Sequence, residues 1–139
     1  KRDYWIDIMA EKIIKTENEW QQDLTREQYR VCRTKGTEAP FKGQYTNVFD
    51  PGQYECVCCG SPLFTSDSKF NTSCGWPSFY EPIDNKSIIY EDDLELGMKR
   101  TEVMCANCDS HLGHVFDDGP EPTGQRFCIN SVALVLNED

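Results

Sequence analysis

Cys56-Val57-Cys58-Cys59 and, further on, Cys105-Ala106-Asn107-Cys108 are two matched Cys-x-x-Cys hooks, separated by residues 60–104. A two-residue gap lets one tight turn aim both sulfurs of a hook at a single ion, and zinc accepts four thiolates at about 2.3 Å in a tetrahedron. The spacing therefore predicts one structural zinc ion held by Cys56, Cys59, Cys105 and Cys108. Such an ion clips two distant segments together, so much of the folding free energy is metal-binding free energy. Two alternatives compete. A redox Cys-x-x-Cys pair expects a βαβ pattern, which is missing here. A local Cys2His2 site from Cys105, Cys108, His111 and His114 would leave the first hook without a purpose.

Outward from the hooks the chain reads β. Asp50-Pro51-Gly52 is a turn leading into the strand that delivers Cys56, and Gly60 and Pro62 reverse the chain into Leu63-Phe64. Residues 101–104 enter the second hook and residues 111–116 leave it, so both hooks are expected to cap hairpin-like turns. Ile88-Ile89-Tyr90 is a further strand candidate. The first third differs. Thr16 with Glu19, and Thr25 with Gln28, fit the capping-box pattern and predict two short polar helices, the second ended by Gly36. Trp20, Leu24 and Tyr29 are expected to pack these helices against the sheet. The expected fold is mainly antiparallel β in one domain over 1–139, with a helical segment over about 1–36 and a zinc-clipped β core over about 44–137.

At 139 residues there is room for one hydrophobic core and not two. The chain is 38% hydrophobic with no long apolar run, which argues against a membrane span. Its 14 basic and 24 acidic side chains give a formal charge of −10, which repels a phosphate backbone and makes nucleic acid an unsuitable partner. Eight cysteines arranged as paired hooks point to zinc in a reducing intracellular compartment, the cytoplasm first, rather than to a secreted disulfide scaffold. No signal peptide is visible; because the chain starts at Lys1, a removed targeting segment would make an organelle possible.

Chemistry enters with the run Arg126-Phe127-Cys128-Ile129-Asn130-Ser131-Val132-Ala133-Leu134-Val135-Leu136. Read as one strand, it puts Arg126, Cys128 and Asn130 on one face, and a thiol between a guanidinium and an amide is favoured as thiolate. The plain alternative is a small buried cysteine filling a core gap. Upstream, His111-Leu112-Gly113-His114-Val115-Phe116-Asp117-Asp118-Gly119-Pro120 supplies two imidazoles and two carboxylates, the parts of a proton-delivering loop, although each histidine alone could equally be a satisfied turn residue. Cys74-Gly75-Trp76-Pro77-Ser78-Phe79 sets a second thiol beside an indole on a stiff turn, where an aromatic core anchor is the plain alternative and the one assigned to Phe79.

Together CGWPSFYEP, HLGHVFDDGP and RFCINSVAL, set around the two hooks in this order, resemble the methionine-R-sulfoxide reductases of the MsrB family, from about Trp20 to the C-terminus. The resemblance implies a β-tent-like arrangement of antiparallel sheets, structural zinc, and thioredoxin as electron donor to an enzyme that repairs the R epimer of methionine sulfoxide, free or in proteins. It makes Cys128 the nucleophile and Cys74 the resolving thiol, and gives Trp76 the sulfoxide methyl group. His111, His114, Asp118, Arg126 and Asn130 match the polar residues around the substrate oxygen or the nucleophile, with His114 the proton donor. Cys32 and Cys58 lie outside these roles; Cys32 is the alternative resolving thiol, and Cys58 is either structural or a competing zinc ligand. A zinc-clipped binding module and a thiol peroxidase are the competing functions, the first having no need of Cys128, His114 and Arg126 together and the second none of Trp76. Monomer is the default oligomeric state.

Overall fold

The computed structural model describes residues 13–138, so the part of the expected helical segment that lies in residues 1–12 falls outside the described residues. Two short helices open it, α1 (Glu17–Asp23) and α2 (Arg26–Thr34). Both expected capping boxes are present: Thr16 and Thr25 each accept from the backbone N–H three residues on, while Glu19 and Gln28 reach back. Each box satisfies two backbone donors that a helix start leaves orphaned. Trp20 is buried, with the Arg33 guanidinium 4.2 Å from its ring centroid, and Leu24 and Tyr29 lie half-buried against the core. One boundary moves. The left-handed residue ending α2 is Lys35 (φ 64°), and Gly36 donates its N–H to the Arg30 carbonyl at 2.9 Å.

Eight strands follow: β1 (Gln53–Cys56), β2 (Pro62–Thr65), β3 (Ser78–Phe79), β4 (Ile88–Asp93), β5 (Arg100–Cys105), β6 (His111–Phe116), β7 (Arg126–Ile129) and β8 (Leu134–Asn137). They form two antiparallel sheets, ordered β2-β1-β8 and β3-β7-β6-β5-β4. Between the sheets runs an aromatic seam: Phe64 of the small sheet stacks on Phe79 of the large one at 4.4 Å and lies 5.8 Å from Phe127. All three are fully buried, and aromatic burial of this size dominates a small core.

The hooks sit where the sequence puts them, at the β1–β2 and β5–β6 turns, and the turns repeat one another. Cys56 donates its N–H to Ser61 O and accepts from Gly60 N; Cys105 donates to Ser110 O and accepts from Asp109 N. The residue after each second cysteine is left-handed, Gly60 at φ 81° and Asp109 at φ 63°.

The run from Arg126 to Leu136 is not one strand, and that expectation is corrected. It breaks into β7 in the large sheet, a 3-10 turn over Ser131–Ala133, and β8 in the small sheet. Asn130 and Ser131 cause the break by offering the backbone other partners. Asn130 Oδ1 accepts from Glu38 N at 2.9 Å, its Nδ2 donates to Leu112 O at 3.0 Å, and Ser131 Oγ accepts from Tyr45 N at 2.9 Å. The same segment thus ties the two sheets together.

Candidate functional site

Residues from both ends of the large sheet meet at one cavity of about 220 Å³, lined by Cys74, Trp76, His114, Arg126, Cys128 and Asn130, joined by Thr37, Arg100, Gly113 and Phe116. Register explains the meeting. His114 stands opposite Cys128 across β6–β7, and Cys128 stands opposite Ser78 across β7–β3, so one cross-strand file carries an imidazole, a thiol and a hydroxyl. Strand neighbours directly opposite share a face. Gly113 permits the close packing: a Cβ there would fall 2.0 Å from the Cys128 carbonyl oxygen.

The two thiols lie 3.8 Å apart, Sγ to Sγ, in van der Waals contact and short of the roughly 2.05 Å of a disulfide. Burial pushes the Cys128 thiol up to about 12; the neighbouring Cys74 sulfur adds to the rise and Arg126 opposes it. The expected thiolate-favouring setting is therefore corrected for the free protein: the guanidinium is present, but desolvation outweighs it. Cys74 moves the other way. Burial works against its ionisation, yet the Ser78 hydroxyl 3.3 Å away, the contact with Cys128 and the field of Arg126 together hold it below an ordinary thiol.

Around the sulfurs, the Trp76 indole N–H donates to Glu38 O at 3.0 Å, fixing the ring beside the cavity. Arg126 is clamped by Asp118 through Nε–Oδ1 at 2.9 Å and Nη2–Oδ2 at 3.3 Å and lies 4.6 Å over the Phe116 ring. Asn130 reaches the wall from the turn after β7 rather than through strand parity. Asp118 and His111 are not lining residues: Asp118 is exposed and acts through Arg126, while His111 is buried with Nδ1 2.6 Å from Glu102 Oε2. Burial lowers the His111 pKa despite that carboxylate, which leaves its imidazole neutral near pH 7.

The four hook sulfurs of Cys56, Cys59, Cys105 and Cys108 all lie within 4.8 Å of one another. Cys56–Cys108 and Cys59–Cys105 are each 3.7 Å apart, and a tetrahedron with metal–sulfur bonds of about 2.3 Å has edges of about 3.8 Å. The donor set fits zinc. Asn107 Nδ2 donates to Cys59 Sγ at 3.6 Å and to Ser61 Oγ at 2.7 Å, an outer contact that orients the ligand. Cys58 is not one of the four; its thiol donates to Ser110 Oγ at 3.6 Å. Cys32 is buried beside it, and their hydrogen bond together with burial pushes the Cys32 thiol well above its ordinary range.

Thr37, Arg100, Glu38, Asp93 and Glu102 escaped the sequence reading. For Glu102 the hook misleads: register run straight from Met104 and His111 would set it opposite Gly113, and the irregularity between Val103 and Met104 is what sets it opposite His114. Thr37 and Glu38 lie in an irregular connection with no periodic pattern.

Known proteins match most of the chain. The SelR domain matches residues 24–138. Curated relatives named peptide methionine sulfoxide reductase MsrB include one from Hahella chejuensis, 57% identical over 89% of this chain and 89% of its own length. Another, from Pseudomonas syringae pv. syringae, is 59% identical over 91% and 96%, and one from Acinetobacter baylyi is 56% identical over 92% of each.

Proposed function

The chain belongs to the SelR domain family of MsrB methionine sulfoxide reductases, and on that premise we propose that it reduces the R epimer of methionine sulfoxide by thiol chemistry at Cys128. The observation that carries this is the pair of sulfurs 3.8 Å apart, opening on a cavity that also holds Trp76, His114 and Arg126.

The sulfoxide sulfur is electrophilic only when its oxygen is protonated, because oxide is a poor leaving group. Cys128 gives up its proton to solvent as substrate binds and attacks the sulfur as thiolate, the His114 imidazolium gives a proton to the oxygen, and the resulting hydroxyl passes to the Cys128 sulfur as the sulfoxide S–O bond breaks. Methionine leaves and Cys128 holds a sulfenic acid. The Cys74 thiolate then attacks the sulfenic sulfur, a disulfide forms as the S–O bond breaks, and the hydroxide departs as water with a proton from solvent. A thioredoxin dithiol resets the enzyme by exchange. Arg126, beside the two sulfurs, stabilises negative charge on either. Stereochemistry follows from three points: the Trp76 face takes the methyl, the polar groups take the oxygen, and Cys128 approaches the sulfur from the third side. Zinc held by Cys56, Cys59, Cys105 and Cys108 would supply structural cross-linking and no electron transfer.

Monomeric action in a reducing compartment on free or protein-bound methionine sulfoxide is part of the same proposal; among the described residues no helix is long and apolar enough to cross a membrane. The test is an assay of the separate R and S epimers with dithiothreitol, followed by mass spectrometry of the enzyme after one equivalent of substrate. Loss of the R epimer and a Cys74–Cys128 disulfide are expected. Reduction of neither epimer would leave a binding module as the function.

A further inference from the structure

Behind the cavity lies a second cluster, of which the chemistry above uses only His114. Asp93 at the end of β4 and Glu102 in β5 are both buried, at 2% and 4% exposure. A buried carboxylate is costly unless something compensates its charge. Each is matched with one imidazole: His114 Nε2 lies 2.8 Å from Asp93 Oδ2, and His111 Nδ1 lies 2.6 Å from Glu102 Oε2. Two cations complete the group. Lys35 Nζ, brought in by the left-handed end of α2, lies 3.3 Å from Glu102 Oε1 and 3.7 Å from Asp93 Oδ1. Arg100 Nη2 lies 3.3 Å from Asp93 Oδ2, and this side chain also lines the cavity.

Two carboxylates and two permanent cations balance. Neither imidazole has to carry a charge to neutralise the cluster. Asp93 itself stays ionised: its bond with His114, the Glu95 backbone N–H, Lys35 and Arg100 pull its pKa down to about 2. With Nε2 committed to Asp93, the nitrogen of His114 left for the reaction is Nδ1.

We propose that Asp93 and Lys35 are the positioning residues of this enzyme's proton delivery: Asp93 fixes the His114 ring so that Nδ1 serves the substrate, and Lys35 balances the paired carboxylates so that the imidazole can release its proton. This rests on the functional reading above, in which His114 acts as an acid. The charged or titratable groups facing His114 are Asp93 from β4, Arg100 and Glu102 from β5, His111 on its own strand, Cys128 from β7, and Lys35 from α2. Glu95, 4.0 Å from Lys35, lies further out.

A group acting as an acid loses activity as pH rises through its pKa. Removing the anion at Asp93 makes the imidazolium easier to lose, so the alkaline limb should move to lower pH. Removing the cation at Lys35 makes the imidazolium harder to lose, so that limb should move to higher pH. A purely structural pair would lower activity without opposite shifts.

The experiment measures pH profiles of R-epimer reduction for wild type, Asp93→Asn and Lys35→Met, with nitrogen-15 NMR titration of the imidazoles on the same proteins. The chain has only two histidines, so the spectra assign readily. Expected are a shift of about one pH unit or more downward for Asp93→Asn, a smaller upward shift for Lys35→Met, and Nε2–H as the neutral tautomer of His114 in wild type. Shifts of the same sign, no shift in either variant, or an Nδ1–H tautomer would overturn the proposal. If Asp93→Asn does not fold, Lys35→Met decides alone, since Lys35 is one-third exposed at a helix end. A wild type inactive on both epimers would sink the functional reading and leave the NMR result to judge the positioning.

Discussion

Two groups of sulfurs in this molecule have almost the same spacing and opposite surroundings. In the hooks, Cys56–Cys108 and Cys59–Cys105 stand 3.7 Å apart; at the cavity, Cys74–Cys128 stand 3.8 Å apart. Distance does not separate them; number and surroundings do. The hook thiols come as four on two matching turns, with backbone hydrogen bonds closing each turn and an Asn107 N–H on one sulfur. Four crowded thiolates need a cation to coexist, and once bound they are ligands and not nucleophiles. The cavity pair comes as two on separate elements, open to a cavity of about 220 Å³, beside a guanidinium and an imidazole. On the proposed function these sulfurs meet an electrophile and the hook sulfurs meet a metal.

Removing the metal breaks the comparison most severely. Structural zinc is worth about 10–16 kcal/mol in small domains, against a total stability of about 5–15 kcal/mol. A strong chelator should therefore abolish the cooperative unfolding transition as well as activity, observable by circular dichroism and calorimetry. A folded, active, metal-free protein would show that the hooks are not a zinc site. Next in size, Cys128→Ser should lose sulfoxide reduction entirely, even with dithiothreitol, while its melting temperature stays within a few degrees of wild type. Surviving reduction would take the nucleophile elsewhere. Smaller still, Cys74→Ser should keep a single turnover, seen as one methionine per enzyme, and lose most thioredoxin-driven turnover; unchanged turnover would move the resolving role to Cys32.

The hook region was legible in the sequence almost to the residue, because a metal site imposes its spacing on the chain that delivers it. Both hairpins and both capping boxes follow from local patterns of two to four residues, and the structure has them where expected. The cavity was legible in its residue types and less so in its electrostatics. Nothing in Arg-Phe-Cys-Ile-Asn says that burial will outweigh the arginine, since desolvation is a property of the packed fold. The break at Asn130–Ser131 was missed because nine of the eleven residues in that run favour or tolerate a strand, while the partners of the two polar ones are distant in sequence, at Glu38, Tyr45 and Leu112. Asp93 and Lys35 were missed for a similar reason: their pairing needs the end of a helix to meet the end of a strand.

The smallest expected effect concerns one difference between the two hook turns. Both need a left-handed residue after the second cysteine, filled by Gly60 in one and Asp109 in the other. A Cβ at Gly60 would meet no atom within 4 Å, so substitution there costs backbone strain and no clash. Gly60→Ala should destabilise by about 1 kcal/mol, the usual cost of forcing an L-residue left-handed. Gly60→Asp should cost less, because aspartate tolerates that conformation and already holds it in the matching turn. Thermal unfolding of the zinc-loaded protein separates the two. Equal losses, or a loss of several kcal/mol in either, would mean that the first hook depends on Gly60 for more than its backbone angle, and that the resemblance of the two turns is only in their hydrogen bonds.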